Sequence, residues 1–442
     1  MAEQRLTSRR RVALGVVLAL VCLLATVAVA RHSAGRALAS GSHATFDQAA
    51  VTREEGRQDT VGQMLTRRAD ALVGKNRAGF LDTVEATDPQ FRGMQSAWFD
   101  NQAAVPFDSW TFSLTDSAAG AVPAVAKALV HKLAAGSFTS SVEVSYRITG
   151  YDNAPQRYEK ILVFVPEHGR WLIAGTFDPT GQTPHRELWD VGRVQVLTAA
   201  HGMVLGLVST DALRMYAAEI DREVPLVDAV WKHPWSHQVL IEVTRTEDEM
   251  ATLLGGAPSA YRQLAAVTRG ELGTEEGASA ADRIIVNPKA YGELSDVGRR
   301  VIMGHEITHV AARASTQSWT PRWLAEGMAD FVGYRDSGLS TDVIAQELAA
   351  DVRRGVLPDG LPEDSTFAAT DPELAQAYEM SWLACRMIAE RYGGPDSLVA
   401  FYRAVGASGG LSELSKVFTD VLGVTQAQFT AQWRGYVRNE LD

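Results

Sequence analysis

Apolar and polar positions follow two different rhythms in the first half of the chain. Between Val61 and Asn101 apolar residues recur every three or four positions, which predicts helices. Between Trp110 and Ala174 they alternate or run together, which predicts strands. The predicted helices are 61–73, 78–83 and 91–101, and the predicted strands are 110–114, 141–148, 159–165 and 170–174. This order predicts an α+β domain whose helices pack on one face of an antiparallel sheet.

The second half of the chain begins with short strands and ends with helices. The predicted strands are 194–197, 203–208, 238–244 and 283–287, with one helix after the second of them. The predicted helices that follow are 293–314, 321–335, 341–354, 372–392, 395–405 and 425–440. The pattern predicts a small mixed sheet followed by a helical half, so the fold class of the whole chain is α+β.

An uncharged apolar segment lies near the start of the chain. Residues 12–30 contain no charge and no proline, and Arg9, Arg10 and Arg11 precede them. A helix of this length spans roughly 28 Å, close to the hydrocarbon thickness of a bilayer. We predict a signal anchor with residues 1–11 in the cytoplasm, a flexible stalk at 31–45, and the remainder outside the cell membrane. The alternative is a secretory signal cleaved after Ala30, which would release a secreted protein.

Length, charge and cysteine content limit the number of domains and the kinds of partner and cross-link that this chain can have. The 442 residues favour two domains, which we place at 46–180 and 185–442. The net charge is −11; the first 31 residues hold five Arg and one Glu, so the rest carries 37 basic and 52 acidic residues, or −15. An acidic body argues against nucleic acid as a partner. Two cysteines, Cys22 and Cys385, give no disulfide framework.

The first predicted domain resembles the NTF2-like domains of secreted bacterial proteins. The resemblance rests on three segments, Leu65 to Leu72, Phe80 to Val84 and Arg170 to Ala174. It implies a cone of helices and sheet that can hold a small molecule. Because no acids, bases or metal ligands converge in this segment, we interpret it as a structural or partner-binding module.

The segment His305-Glu-Ile-Thr-His309 carries the candidate chemistry. Residues four apart lie on one face of a helix, so the two imidazoles can bind one ion while Glu306 lies beside it. Zinc accepts neutral imidazole nitrogens and, in catalytic sites, keeps one position for water. Val301, Ile302 and other apolar residues flank the motif, so its polar groups would be costly in the core without a metal partner.

A third ligand is expected on the next predicted helix, which begins at Pro321. Glu326 and Asp330 lie four residues apart and therefore share one face. This spacing allows Glu326 to bind the metal while Asp330 accepts a hydrogen bond from the second nitrogen of a zinc-binding histidine.

These motifs resemble the gluzincins, the thermolysin-like zinc metallopeptidases of the peptidase MA clan. The residues that carry the resemblance are His305 to His309 and Trp323-Leu-Ala-Glu-Gly-Met-Ala-Asp330. It implies a thermolysin-like fold for the second domain, zinc ligation by His305, His309 and Glu326, and Glu306 as general base. Asp330 would orient a histidine. Metzincins require a third histidine after the motif, and the sequence Val310-Ala-Ala-Arg-Ala-Ser lacks it.

The resemblance also implies a reaction and a substrate. Zinc polarises the peptide carbonyl and acidifies water, Glu306 takes the proton, and Tyr378 is the candidate oxyanion donor, with a core aromatic as the alternative. Peptide or protein substrates would pair with a sheet edge, for which we predict 283–287, ended by Pro288. The chain would then be a zinc metalloendopeptidase or an aminopeptidase-like hydrolase.

Two other functions stay open from the sequence. In the first, zinc stabilises a catalytically silent binding protein. In the second, the N-terminal domain acts as an extracytoplasmic sensor or interaction module with a protein partner. His185, His201, His233 and His237 are weaker site candidates, which we interpret as surface or structural residues.

Overall fold

A computed structural model describes residues 48–115, 122–262, 264–270, 281–368 and 370–442. The predicted cytoplasmic segment, the anchor at 12–30 and the stalk at 31–45 lie outside these ranges, as does Cys22. Among the described helices, none is both long and apolar enough to cross a bilayer. The chain divides into two compact units, one that ends at Val194 and one that runs from Gln195 to Asp442.

The first unit combines helices with a four-stranded antiparallel sheet. Its elements are α1 Gln48–Val73, α2 Arg77–Leu81, α3 Pro89–Asn101, β1 Phe107–Thr115, α4 Ala124–Val130, β2 Phe138–Ile148, β3 Gln156–Glu167, β4 Arg170–Phe177 and α5 Leu188–Val191. The strands pair in chain order, β1-β2-β3-β4, each antiparallel to the next. The predicted strands are confirmed, and each is longer by a few residues because ladder pairing continues into polar positions. The NTF2-like resemblance stays a prediction.

Helices cover both faces of this sheet. Ile161 and Val163 lie in a cluster of buried residues with Ala126 of α4, which the pattern analysis missed. On the other face Phe164 stacks on Phe138 with ring centroids 5.1 Å apart, and the Arg57 guanidinium of α1 lies over the Phe138 ring. The expectation of helices on one face only is therefore wrong, since successive residues of β3 are buried on opposite faces.

The second unit begins with a five-stranded mixed sheet. Its strands are β5 Gln195–Thr198, β6 Gly202–Gly206, β7 Val239–Val243, β8 Ala266–Arg269 and β9 Arg283–Val286, in the order β5-β6-β7-β9-β8. β6, β7 and β9 are parallel, while β5 and β8 are antiparallel to their neighbours. Every residue of β6, β7 and β9 is buried, so these three strands form the hydrophobic centre of the sheet. The mixed sheet is confirmed.

The predicted edge strand is not at the edge. Arg283–Val286 pairs with β7 on one side and with β8 on the other, so it is the fourth of five strands. The edge strand next to it is β8, which covers only four residues and escaped the pattern analysis. The prediction was wrong because a strand in which every residue is buried is typical of a strand with neighbours on both sides.

Helices form the rest of the second unit. They are α6 Thr210–Trp231, α7 Glu247–Leu254, α8 Pro258–Tyr261, α9 Pro288–Glu293, α10 Asp296–Ala312, α11 Arg322–Tyr334, α12 Thr341–Ile344, α13 Gln346–Arg353, α14 Leu374–Arg391, α15 Pro395–Ala407, α16 Leu414–Leu422 and α17 Gln426–Leu441. The predicted helix 341–354 is two helices that meet at Ala345, whose ψ is 53°. The Glu379 carboxylate of α14 accepts the backbone N–H of Glu347 and Leu348, which caps α13 from another helix.

α10 and α11 cross at two glycines. A Cβ added to Gly304 would lie 3.3 Å from the Gly333 Cα, and one added to Gly333 would lie 2.6 Å from the Val301 carbonyl oxygen. The second distance is shorter than side chains tolerate, and the atom it meets belongs to the backbone. Gly333 therefore allows the two helices to approach each other closely.

We expect Gly333→Ala to lower the free energy of unfolding by about 1–3 kcal/mol, because the added methyl group forces the backbones of α10 and α11 apart. Gly435→Ala is the matched control: it lies inside α17 with open space around its Cα. Alanine there should be neutral or stabilise by up to about 1 kcal/mol. Urea denaturation of both variants measures the difference, and equal stability of the two would contradict the close crossing.

Candidate metal centre

α10 presents two histidines to the interior of the second unit. Ser295 is the N-cap of the helix, and its hydroxyl accepts a hydrogen bond from the backbone N–H of Gly298 at 3.1 Å. Val301 and Ile307 pack in the core, which fixes the rotation of the helix about its axis. His305 and His309 lie one turn apart on the same side, and both are buried.

α11 brings two carboxylates to the same place. Pro321 precedes the helix and provides no side-chain cap, and the Asp364 carboxylate instead accepts the backbone N–H of Arg322 at 2.8 Å. Glu326 and Asp330 follow on one face of α11, and both are buried. Four residues predicted from spacing thus lie on two adjacent helices.

Three of these residues form a triangle of potential ligand atoms. The Nε2 atoms of His305 and His309 are 3.0 Å apart. The Glu326 Oε2 atom lies 3.4 Å from the first and 3.5 Å from the second. An ion bound tetrahedrally at about 2.0–2.1 Å requires ligand atoms roughly 3.3 Å apart. The triangle therefore fits the donor set and the size of a zinc site, and it is the one such group among the described residues.

The Glu326 carboxylate is buried without hydrogen bonds. Both of its oxygens are inaccessible and have no hydrogen-bond partner. Burial alone would raise the pKa of Glu326, but the neighbouring His305 and His309 imidazoles outweigh it and lower the pKa to about 2. A buried carboxylate in its charged form needs a compensating positive charge. A divalent ion between the three side chains would supply that charge.

Asp330 holds one of the two imidazoles. Its Oδ1 atom lies 2.8 Å from the Nδ1 atom of His305. With the proton on Nδ1, that nitrogen donates to Asp330 and Nε2 keeps its lone pair for a metal. Burial raises the pKa of Asp330, and the contact with His305 opposes the rise. A hydrogen bond at this position favours the Nδ1–H tautomer of His305 and restrains the rotation of its ring.

Glu306 is buried beside the ligand triangle and contacts the edge strand. The Thr268 hydroxyl of β8 donates to the Glu306 Oε2 atom at 2.6 Å. The sequence pattern does not indicate a role for Thr268. Its strand has only four residues, and Glu306 is 38 positions away in the chain. Only the three-dimensional structure brings the hydroxyl and the carboxylate together.

Tyr378 is buried on α14, a helix that packs against α11. Its ring packs edge-on against Phe367, with centroids 5.3 Å apart. Cys385, two turns further along α14, has its Sγ atom 3.9 Å from the Leu324 carbonyl oxygen of α11. These contacts place α14 beside the helix that carries Glu326. The role of Tyr378 as an oxyanion donor stays a prediction.

The four weaker histidine candidates are not members of the triangle. His185 pairs with Glu187 at 2.6 Å, His237 with Asp228 at 3.0 Å, and His233 with Arg403 at 3.2 Å. The backbone N–H of His201 donates to the Asp221 carboxylate at 2.9 Å. Each of these contacts is typical of a structural or surface residue.

Comparison with known proteins gives weak similarity. The chain matches no protein-family model and no curated protein. Among solved structures, a mutant M1 zinc metallopeptidase from Deinococcus radiodurans bound to a Tyr-Ser-Ala substrate is 14% identical, with a TM-score of 0.33 over 76% of this chain and 69% of that one. Another structure of an M1 zinc metallopeptidase from the same organism is 16% identical, with a TM-score of 0.30 over 70% and 62%. Similarity at this level does not assign the chain to a family.

We expect Asp330→Asn to weaken zinc binding by about 10- to 100-fold, because the amide cannot hold His305 in the required tautomer as a carboxylate does. Asp420→Asn, at an exposed pair with Lys416 on α16, is the matched control and should bind zinc like the parent chain. Competition with a chromogenic chelator measures both affinities. An unchanged affinity of Asp330→Asn would show that the contact with His305 does not orient a ligand.

Proposed function

We propose that the second unit is a zinc-dependent metallopeptidase. The observation that supports the proposal is the triangle of His305, His309 and Glu326, whose edges of 3.0–3.5 Å suit one tetrahedral ion. Glu306, whose carboxylate can act as a general base, directly follows His305 in the chain, and Asp330 orients the His305 imidazole. These groups together match the needs of metal-assisted hydrolysis of a peptide bond.

Each residue has a distinct part in the proposed reaction. His305, His309 and Glu326 would hold the ion, which when bound supplies a Lewis acid for the peptide carbonyl and lowers the pKa of water. Glu306 accepts the proton of the attacking water and delivers it to the leaving amine. Tyr378 donates to the oxyanion that develops on the carbonyl.

Peptide or protein substrates are proposed to pair with β8. This strand is the last of the described sheet on the side of α10, and its Thr268 contacts Glu306. Main-chain hydrogen bonds to a strand edge bind a peptide in extended conformation with little dependence on sequence. A peptide on β8 would therefore run close to the proposed general base.

A second candidate function is a catalytically silent protein in which zinc stabilises the fold. The observation that favours it is the burial of the site: His305, Glu306 and Glu326 have no exposed surface, and His309 is 6% exposed. Buried zinc sites often contribute mainly to folding. A binding or sensor role, with the N-terminal unit contacting a protein partner, would be consistent with this function.

Cleavage of a peptide library by the full chain, purified in detergent and loaded with one zinc, tests the two functions. We expect cleavage by the parent chain and a loss of at least about 100-fold in Glu306→Gln, because an amide cannot accept the proton of water. The variant should keep its zinc, since Glu306 is not among the three ligands of the triangle.

Glu293→Gln, at the exposed last residue of α9, is the matched control and should cleave like the parent chain. Full activity of Glu306→Gln would rule out this residue as the base. Absence of cleavage by every protein, with one zinc bound in each, would favour the catalytically silent function.

We also propose that residues 12–30 anchor the chain in the cell membrane, with residues 46–442 outside the cytoplasm. The support is the apolar segment that follows Arg9, Arg10 and Arg11. The expected result is that the chain stays in the membrane fraction through alkaline extraction and is digested by protease added to intact spheroplasts. Release into the medium with an N-terminus at Arg31 would instead show a cleaved signal.

A further inference from the structure

Thr268 connects the edge strand to the proposed general base. Its hydroxyl oxygen lies 2.6 Å from the Glu306 Oε2 atom and 3.3 Å from the Glu306 carbonyl oxygen. A hydroxyl has one proton, so the shorter contact is the principal hydrogen bond. Its length lies in the normal range for a hydrogen bond between a hydroxyl and a carboxylate oxygen.

Both members of this contact are buried. Thr268 is 3% exposed and Glu306 has no exposed surface. In an interior of low polarity such a hydrogen bond is stronger than in water, and solvent cannot replace it. Loss of the hydroxyl would remove this hydrogen bond and with it one restraint on the rotamer of the Glu306 side chain.

The geometry also distinguishes the two oxygens of the Glu306 carboxylate. A hydroxyl that binds Oε2 restrains the rotation of the carboxylate about its Cγ–Cδ bond and therefore the direction in which Oε1 projects. Proton transfer depends on that direction, because a general base must lie within hydrogen-bond reach of the proton that it accepts. A displacement of about 1 Å can reduce a rate by about 100-fold.

Thr268 sits on a strand that is distant in the chain from Glu306. Its backbone is opposite Ile284 of β9, and its strand is the edge to which a substrate would pair. The same residue thus contributes its side chain to Glu306 and its backbone to the strand beside the site.

We propose that Thr268 is a positioning residue for the general base: its hydroxyl sets the orientation of the Glu306 carboxylate and ties it to the strand that binds the substrate backbone. The inference rests on the proposed peptidase function. It differs from a purely structural role, in which the hydroxyl would contribute to stability and leave the orientation of Glu306 unchanged.

Three variants of the full chain test the proposal. Thr268→Val removes the hydroxyl and keeps the shape of the side chain, whereas Thr268→Ser keeps the hydroxyl. Thr244→Val is the matched control: Thr244 is buried at the end of β7, and its hydroxyl lies 3.2 Å from the Val286 carbonyl oxygen of β9.

We expect Thr268→Val to lower kcat by about 10- to 100-fold with KM within about twofold of the parent value, because the reaction and not the binding of peptide depends on the carboxylate. Thr268→Ser should recover most of kcat. Thr244→Val should lose thermal stability without loss of kcat. All three variants should bind one zinc.

Crystal structures of the zinc-loaded variants supply a readout that does not need activity. Glu306 should keep its conformer in Thr268→Ser and adopt a different one in Thr268→Val. If the parent chain cleaves no peptide, the proposed function fails while these structures still decide the positioning role. An unchanged Glu306 conformer in Thr268→Val, equal kcat for Thr268→Val and the parent, or a Thr268→Ser variant as slow as Thr268→Val would overturn the proposal.

Discussion

The close crossing of α10 and α11 is the constraint on which the rest of the site depends. Two imidazoles come from α10 and two carboxylates from α11, so the spacing of ligand atoms is set by the distance between two helix backbones. Gly304 and Gly333 lie where the helices meet, and a side chain at Gly333 would contact the backbone of Val301. The Glu326 Oε2 atom lies 3.4 Å and 3.5 Å from the two Nε2 atoms, so a wider separation of the helices would change the size of the triangle. The distance between the two helices therefore determines how far Glu326 lies from the two imidazoles of the candidate metal site.

The grouping of the candidate ligand residues could be predicted from the sequence because their arrangement is local. His305 and His309, like Glu326 and Asp330, are pairs at positions i and i+4, and the helical repeat alone puts each pair on one face. The contact of Asp330 with His305 required one further step, the packing of two neighbouring helices. The α+β class was predictable for the same reason, since periodicity reports helices and strands of ordinary length.

The features that the sequence did not predict depend on contacts between distant segments. The edge strand β8 has four residues, too few for a periodic pattern, and it is recognised only by its pairing with β9. The division between α12 and α13 depends on Glu379, which caps α13 from α14. Similarly, α4 covers the second face of the N-terminal sheet, and its seven residues give little helical signal on their own. Long-range partners, not local propensity, decide these elements.

The side chains of the candidate site are buried, so their polar atoms need partners inside the protein. Most polar atoms of the site lie in the protein interior, where each needs a hydrogen-bond partner or an opposite charge. Asp330 lies within hydrogen-bond distance of the His305 ring, and the Thr268 hydroxyl donates a hydrogen bond to Glu306. Glu326 has no hydrogen-bond partner, yet its carboxylate is held in the charged form by two imidazoles that are themselves close together. A divalent cation held by these three side chains would neutralise the carboxylate and bind a lone pair of each imidazole.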